Sequence, residues 1–225
     1  MQFLYILIAG LIGYLCGSIA FGYIYVKFFK GEDLRQIGSG RTGGTNSFRA
    51  AGLGVGILTS LSDVAKGAVA VLLVRWLFGG AFSPTLLPWA VAFAGVMSVV
   101  GHNWSVFLKF KGGAGTGPNV GWSSAIWPWV LPIAFIVMTG VLVGTGMASV
   151  ASLSMAAVTI IIFGARYLMG IDTTLAYLAG SIIAGLAIVW SLRPNIKRIM
   201  AGEERLVGPR AKRRERRQAE TAERQ

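Results

Sequence analysis

Long apolar stretches dominate this chain, and they restrict the folds it can adopt more than any other feature. Hydrophobic residues make up 54% of the sequence and charged residues only 13%, whereas a soluble domain carries about 25% charged residues. Stretches of about 20 apolar residues are long enough to cross a bilayer as α-helices. The alternating segments of roughly ten residues that build a membrane β-barrel are missing. The sequence therefore predicts an all-α integral membrane protein.

Seven membrane spans are predicted from these stretches. They lie near residues 3–29, 53–78, 86–101, 116–127, 129–145, 148–168 and 173–190. The first is interpreted as a retained helix and not as a cleaved signal peptide, because no positive residue precedes it and no clear small-residue cleavage site follows it. The domain expected from this pattern covers residues 1–208.

Positive charge is concentrated in alternate connections, which predicts the orientation of the chain. Lys and Arg occur at 30–52, at 109–111 and in the C-terminal segment, where 191–225 holds 11 of the 21. The connections near 79–85, 127–129 and 169–172 hold none. Because cytoplasmic loops carry the excess of Lys and Arg, we expect the N-terminus outside and the C-terminus inside the cell. The basic tail, 209–225, is expected to be flexible and to attract anionic lipid, with nucleic acid as the less favoured ligand.

Three glycine-rich basic segments, here called islands, interrupt the apolar stretches. Island one is Gly38–Arg49 (GSGRTGGTNSFR), island two is Gly101–Gly115 (GHNWSVFLKFKGGAG), and island three is Asn195–Arg205 (NIKRIMAGEER). Each places accessible backbone amides beside Arg or Lys, a combination that suits phosphate oxygens. All three are predicted on the cytoplasmic face, so they favour a single site for a phosphorylated substrate at the membrane surface.

Island one has the strongest phosphate-binding character of the three. Its glycines permit close backbone approach, Ser39, Thr45 and Asn46 supply short polar groups, and Arg49 supplies a bidentate fork. The alternative is an ordinary flexible loop. The segment is not a P-loop, because the pattern GxxxxGK[ST] is absent.

Two further polar features each leave two interpretations open. His102 is the only histidine; at a helix end it is either a hydrogen-bonded structural residue or a catalyst. Asp63 and Lys66 lie three residues apart in the second span, so they form either a functional pair or a mutually neutralising ion pair. One histidine and one cysteine, Cys16, cannot assemble a familiar metal site. No metal or cofactor is expected.

At the three islands the chain resembles the PlsY family, the bacterial glycerol-3-phosphate acyltransferases that use acyl-phosphate. The family patterns GSGNxGATNxxR, GHxxPVFLxFKGGKG and HRxNIxRLxxGxExR correspond to GSGRTGGTNSFR, GHNWSVFLKFKGGAG and LRPNIKRIMAGEER, with equal spacing throughout the first two and as far as Glu204 in the third. The resemblance extends to GSIAFGYIY at 17–25 and to DVAKG at 63–67. It covers the chain up to about Gly208.

The resemblance implies a multi-pass enzyme of a bacterial plasma membrane, acting in phospholipid biosynthesis. A fatty acyl group would pass from acyl-phosphate to the sn-1 hydroxyl of glycerol 3-phosphate, giving lysophosphatidic acid. The partners implied are these two substrates and membrane lipid, with neither nucleic acid nor an obligate protein partner. The expected catalytic residues are Ser39, Arg49, His102, Lys111 and Asn195. The expected phosphate-binding residues are Gly40, Gly43, Thr45, Asn46, Gly112, Gly113, Lys197, Arg198 and Glu204.

Several positions depart from the family patterns. Ala114 replaces the second lysine of KGGKG, and Leu192 replaces the histidine that opens the third pattern. Arg41 stands in place of an asparagine, and Ser105 in place of a proline. The alternative to an acyltransferase is therefore a family member without catalysis or with altered specificity, which binds acyl-phosphate or anionic lipid.

Overall fold

The structure is a computed structural model, and it describes residues 1–208, 210, 211, 213 and 216. Within these residues the chain forms helices and no strands. The helices are α1 (Gln2–Ser18), α2 (Phe21–Lys30), α3 (Gly44–Phe78), α4 (Leu87–Asn103), α5 (Thr116–Ile126), α6 (Val130–Thr145), α7 (Ala148–Leu168), α8 (Ala176–Ser191) and α9 (Arg193–Met200). The prediction of an all-α membrane protein is confirmed.

Four helical segments are long and apolar enough to cross a membrane. They are Gln2–Lys30, Gly44–Phe78, Leu87–Leu108 and Ala148–Leu168. Together α8 and α9 would make a fifth, but they are bent by 62°. The 11 residues of α5 rise only about 16 Å, half of a typical hydrocarbon core. Helices occupy all seven predicted stretches, while the number of crossings stays a prediction.

The first predicted span, 3–29, is two helices instead of one. The chain leaves helical geometry at Ile19, between α1 and α2. Side chains from other parts of the fold donate hydrogen bonds to the carbonyl groups there. Ser105 Oγ donates to the Ser18 carbonyl at 2.6 Å, and Lys66 Nζ donates to the Ile19 carbonyl at 2.7 Å. Hydrogen bonds of this kind replace the helical ladder and allow the break.

Small residues let α1 and α4 lie in close contact. Gly10, Gly13 and Gly17 repeat at helical spacing along α1, and a Cβ at Gly17 would lie 2.0 Å from the Ser98 carbonyl oxygen. Close approach of this type is a common way for helices to associate within a bilayer. Around this pair lies a core in which Trp122 stacks on Phe163, with ring centroids 5.7 Å apart.

The helices place the three islands in the connections and ends where they can meet. Island one follows α2 and forms the start of α3, where Gly52 interrupts the helix with φ 85°. Island two joins α4 to α5, and island three contains most of α9 and the extended chain after it. Beyond island three the Val207 N–H donates to the Gly146 carbonyl at 2.8 Å. The expected flexible tail lies largely outside the described residues and stays a prediction.

Candidate active site

Asn46 gives island one its shape. Its Oδ1 accepts from the Ser39 N–H at 3.0 Å, and its Nδ2 donates to the carbonyls of Leu34, Ile37 and Arg41. The loop turns through Gly38 and Gly40, whose φ values of 54° and 70° favour glycine. Asn46 is buried and its polar atoms are engaged by the loop backbone, so in this structure it shapes the loop that was expected to bind phosphate.

The beginning of α3 presents the remaining polar groups of island one. Gly43 caps the helix in an extended conformation, and α3 begins at Gly44. The first N–H groups of a helix have no partner within it and favour anions. Thr45 and Arg49 are four residues apart and lie on one side of this first turn, both half-buried. This arrangement can hold a phosphate with a cation beside backbone amides.

The two glycines of island two allow its backbone to lie against the end of α4. The Gly113 N–H donates to the His102 carbonyl at 2.9 Å. A Cβ at Gly113 would lie 1.9 Å from His102 Nε2, and one at Gly112 would lie 2.0 Å from the His102 carbonyl oxygen. Only glycine fits at either position. The same loop leaves the side chain of Lys111 exposed.

His102 belongs to a buried network with the ion pair of the second span. Lys66 Nζ lies 2.7 Å from Asp63 Oδ1 and 2.8 Å from His102 Nδ1. His102 Nδ1 also lies 3.5 Å from Asp63 Oδ1, and Nε2 faces Gly113. His102 is 4% exposed. The network links α3, α4 and, through Ile19, the break after α1, and it joins the two features whose roles the sequence left open.

Arg41 brings the three islands together. Its Nη1 donates to the Gly113 carbonyl at 3.0 Å and to Ser191 Oγ at 2.9 Å. Its Nη2 donates to the Ser191 carbonyl and to Asn195 Oδ1, the latter at 3.0 Å. Ser191 Oγ also lies 3.0 Å from the Gly113 carbonyl oxygen. One guanidinium therefore connects island one to the loop of island two, the end of α8 and the start of island three.

Glu204 organises island three from within. Its Oε1 accepts from Asn195 Nδ2 at 2.8 Å and from Ser149 Oγ at 2.9 Å, and its Oε2 accepts from Arg198 Nε at 3.1 Å. The carboxyl group is buried beside these donors. Its contacts position Asn195 and Arg198, and the predicted phosphate ligands Glu204 and Arg198 here pair with each other.

The predicted site residues other than His102 fall into three groups. Asn46, Gly112, Gly113, Asn195, Arg198 and Glu204 build the connected framework. Ser39, Gly40, Gly43, Thr45 and Arg49 line island one and the first turn of α3. Lys111 and Lys197 are exposed, and within the described part of the chain neither side chain has a hydrogen-bond partner. His102 lies beneath the glycines of island two, so its catalytic role stays a prediction.

Neither Arg41 nor Ser191 is among the site residues predicted from the sequence. Arg41 was noticeable only as a departure from the family pattern, and Ser191 belongs to no island. Both depend on contacts across about 150 residues of chain, which leave no local pattern. Arg193, beside Leu192, takes no part in these contacts: it is exposed, its guanidinium lies 3.3 Å from the centre of the Trp190 ring, and its Nε donates to the Trp190 carbonyl.

Comparison with known proteins agrees with the resemblance found in the islands. A family model described as glycerol-3-phosphate acyltransferase matches residues 7–202. A glycerol-3-phosphate acyltransferase of an Anaeromyxobacter species is 40% identical over 86% of this chain and 92% of its own length. The crystal structure of PlsY, an integral membrane glycerol 3-phosphate acyltransferase in its glycerol 3-phosphate form, has a TM-score of 0.77 at 33% identity and covers 90% of this chain and 96% of that chain. Its lysophosphatidic acid form has a TM-score of 0.75 at 32% identity and covers 90% and 95%.

Proposed function

Because this chain belongs to the glycerol-3-phosphate acyltransferase family, we propose that it transfers a fatty acyl group from acyl-phosphate to the sn-1 hydroxyl of glycerol 3-phosphate. The products are lysophosphatidic acid and inorganic phosphate. The observation that carries the proposal is the connection of all three islands through Arg41, which donates to Gly113 of island two and to Asn195 of island three.

The chemistry needs positioning more than a covalent intermediate. An acyl-phosphate is an activated mixed anhydride, so the hydroxyl oxygen can attack the acyl carbon directly. The new ester C–O bond forms as the bond to the phosphate oxygen breaks, and the hydroxyl proton ends on the phosphate product. Two phosphorylated substrates repel each other, and cations with oriented amides offset that repulsion and stabilise the charge of the transition state.

Individual residues have distinct proposed roles in this reaction. Arg49 and the amides at the start of α3 hold one phosphate, and Lys111, exposed beside Gly112, holds the other. Ser39 completes the site as a polar contact to substrate, with Gly40, Gly43, Thr45 and Lys197 at its edge, and Asn195 supports the site through its bonds to Arg41 and Glu204. We place the site on the cytoplasmic face of a bacterial plasma membrane, where both soluble glycerol 3-phosphate and a membrane-borne donor are accessible.

The test is acyl transfer by the purified protein in lipid. Incubation with acyl-phosphate and labelled glycerol 3-phosphate should give labelled lysophosphatidic acid, and replacing the donor with acyl-CoA should not. The variant carrying Arg49→Ala and Lys111→Ala is the control for background. Equal product from wild type and this variant would refute catalysis.

A second candidate is a member that binds these ligands without turnover. The observation behind it is Leu192, which is 2% exposed and packed in the apolar core, in place of the histidine of the family pattern. This candidate predicts saturable binding of acyl-phosphate by wild type, lost in the Arg49→Ala, Lys111→Ala variant, with no product formed.

A further inference from the structure

We propose that Arg41 is a positioning residue that joins the three islands into one site, and that the site requires its planar fork and not merely its positive charge. The kinetic part of the proposal rests on the acyl transfer proposed above. The structural part, that the islands separate without Arg41, does not.

The hydrogen bonds of Arg41 leave it little capacity to bind substrate itself. Its two Nη atoms carry four hydrogens, and the four acceptors around them are the Gly113 carbonyl, Ser191 Oγ, the Ser191 carbonyl and Asn195 Oδ1. A guanidinium has only one further donor, on Nε. A residue that binds phosphate would keep its guanidinium N–H groups free for the ligand, whereas those of Arg41 donate to other parts of the protein. Its contacts are those of a connector.

The acceptors around Arg41 are all uncharged, so the positions of its donor groups can be tested separately from its positive charge. A direct carboxylate partner would make an ion pair, but Glu204 reaches Arg41 only through Asn195, at 2.8 Å and 3.0 Å. Burial lowers the pKa of Arg41, and the nearby Arg198 lowers that pKa further. Arginine remains protonated in proteins despite such shifts. Arg41 therefore also adds positive potential where two phosphates are expected.

Lysine cannot reproduce these contacts. Its three donors belong to one nitrogen, so they cannot span four oxygens held on two separate segments of the fold. The positions of Gly113 and Asn195 relative to island one should consequently loosen when Arg41 becomes lysine, although the charge is retained. Displacement of a catalytic group by about 1 Å can cost about 100-fold in rate.

The kinetic experiment compares Arg41→Lys, Arg41→Gln and the matched control Arg35→Gln. Arg35 lies in the same loop, but its guanidinium pairs with Asp33 of that loop at 2.6 Å and rests over Tyr23. We expect both Arg41 variants to lose about 100-fold in kcat/KM, and the Arg35 control to keep the wild-type value within about threefold. Near wild-type activity in Arg41→Lys would show that charge suffices and would overturn the proposal.

A double variant tests whether Ser191 acts through Arg41. Ser191→Ala alone should lower kcat/KM by less than Arg41→Gln. Ser191→Ala combined with Arg41→Gln should be no worse than Arg41→Gln, because the hydroxyl acts through a fork that is already missing. Losses that multiply in full would mean that the two residues act independently, and the connector would be refuted.

A distance measurement keeps the proposal testable without turnover. Spin labels at the exposed positions Gln36, two residues before island one, and Glu203, in island three, report the separation of these two segments; they are introduced as Gln36→Cys and Glu203→Cys with Cys16→Ser. A narrow distance distribution is expected in the wild-type and Arg35→Gln backgrounds, and a broader one in Arg41→Lys and Arg41→Gln. An unchanged distribution in both Arg41 variants overturns the proposal even if the protein proves to have no acyl transfer activity.

Discussion

Leu192 illustrates how the surroundings of one side chain decide what a departure from a family pattern means. It lies between α8 and α9, is 2% exposed, and packs in the core with Ile188 and Val99. Its backbone N–H donates to the Ile188 carbonyl at 2.9 Å. The position where the family pattern has a histidine is therefore an apolar site in this chain. The neighbouring hydrogen bonds are made by Ser191 and Asn195.

Leu192→His is accordingly expected to destabilise the protein. An imidazole at this position would lose its hydration without gaining a partner among the apolar neighbours, which costs about 1–3 kcal/mol. For a chain of this size each kcal/mol lowers Tm by roughly 2–4 °C. Thermal unfolding in detergent measures the effect, with the volume-conserving Leu192→Met as the control. A Tm for Leu192→His equal to that of Leu192→Met would contradict this account of the core.

The association of α1 with α4 depends on glycines that have no room for a side chain. Gly13 and Gly17 each face backbone of α4, from Ala94 and Ser98 respectively. Such contact lets the two backbones approach and gains dispersion energy that larger residues would prevent. Because α4 ends at His102 and Asn103, its position against α1 also sets the position of island two.

Gly17→Ala should therefore weaken both the fold and the site. The added methyl group would lie 2.0 Å from the Ser98 carbonyl oxygen, so the two helices must move apart. We expect a lower Tm and a lower acyl transfer rate. The control is Gly140→Ala on α6, where a Cβ meets nothing within 4 Å; it should keep the Tm or raise it slightly, since alanine favours helix. Equal Tm values for the two variants would contradict the close packing of α1 on α4 at Gly17.

Sequence patterns predicted the helices well and their interruptions less well. The lengths of the apolar stretches predicted where the helices lie. The predicted start of the second span, 53–78, coincides with the interruption at Gly52. The break after Ser18 was missed because its cause is Lys66 and Ser105, which are distant in sequence. A local sequence pattern indicates the secondary structure that a segment prefers. It does not indicate hydrogen bonds from residues distant in sequence.

The whole site is assembled from parts that the chain order keeps apart. The islands could be predicted, since glycine and cation content is visible locally, and their spacing showed the family. Which residue joins them could not, because Arg41, Gly113 and Ser191 acquire their relation only after α3, α4 and α8 have packed. For the same reason the burial of His102 under Gly113 could not be predicted from the sequence.

The contacts of island three predict where the chain can be shortened. Glu204 and Val207 tie the segment after α9 to Ser149 and Gly146, and all of these contacts precede residue 209. Removing 209–225 should leave Tm and acyl transfer near wild-type values. A chain ending at Trp190 lacks Ser191 and Asn195 and should form no product. Loss of activity in the longer chain, or its survival in the shorter one, would contradict this boundary.

The hydrogen bond from Arg41 to Ser191 spans 150 residues, and this has a consequence for biosynthesis. Chains are made from the N-terminus and their early segments fold first, so Arg41 enters the membrane environment long before its partners exist. During that interval islands one and two can be connected only through the Arg41–Gly113 hydrogen bond, without Ser191 and Asn195. If the proposed function holds, acyl transfer requires the last helices, and we expect a polypeptide released early to be inactive in the membrane.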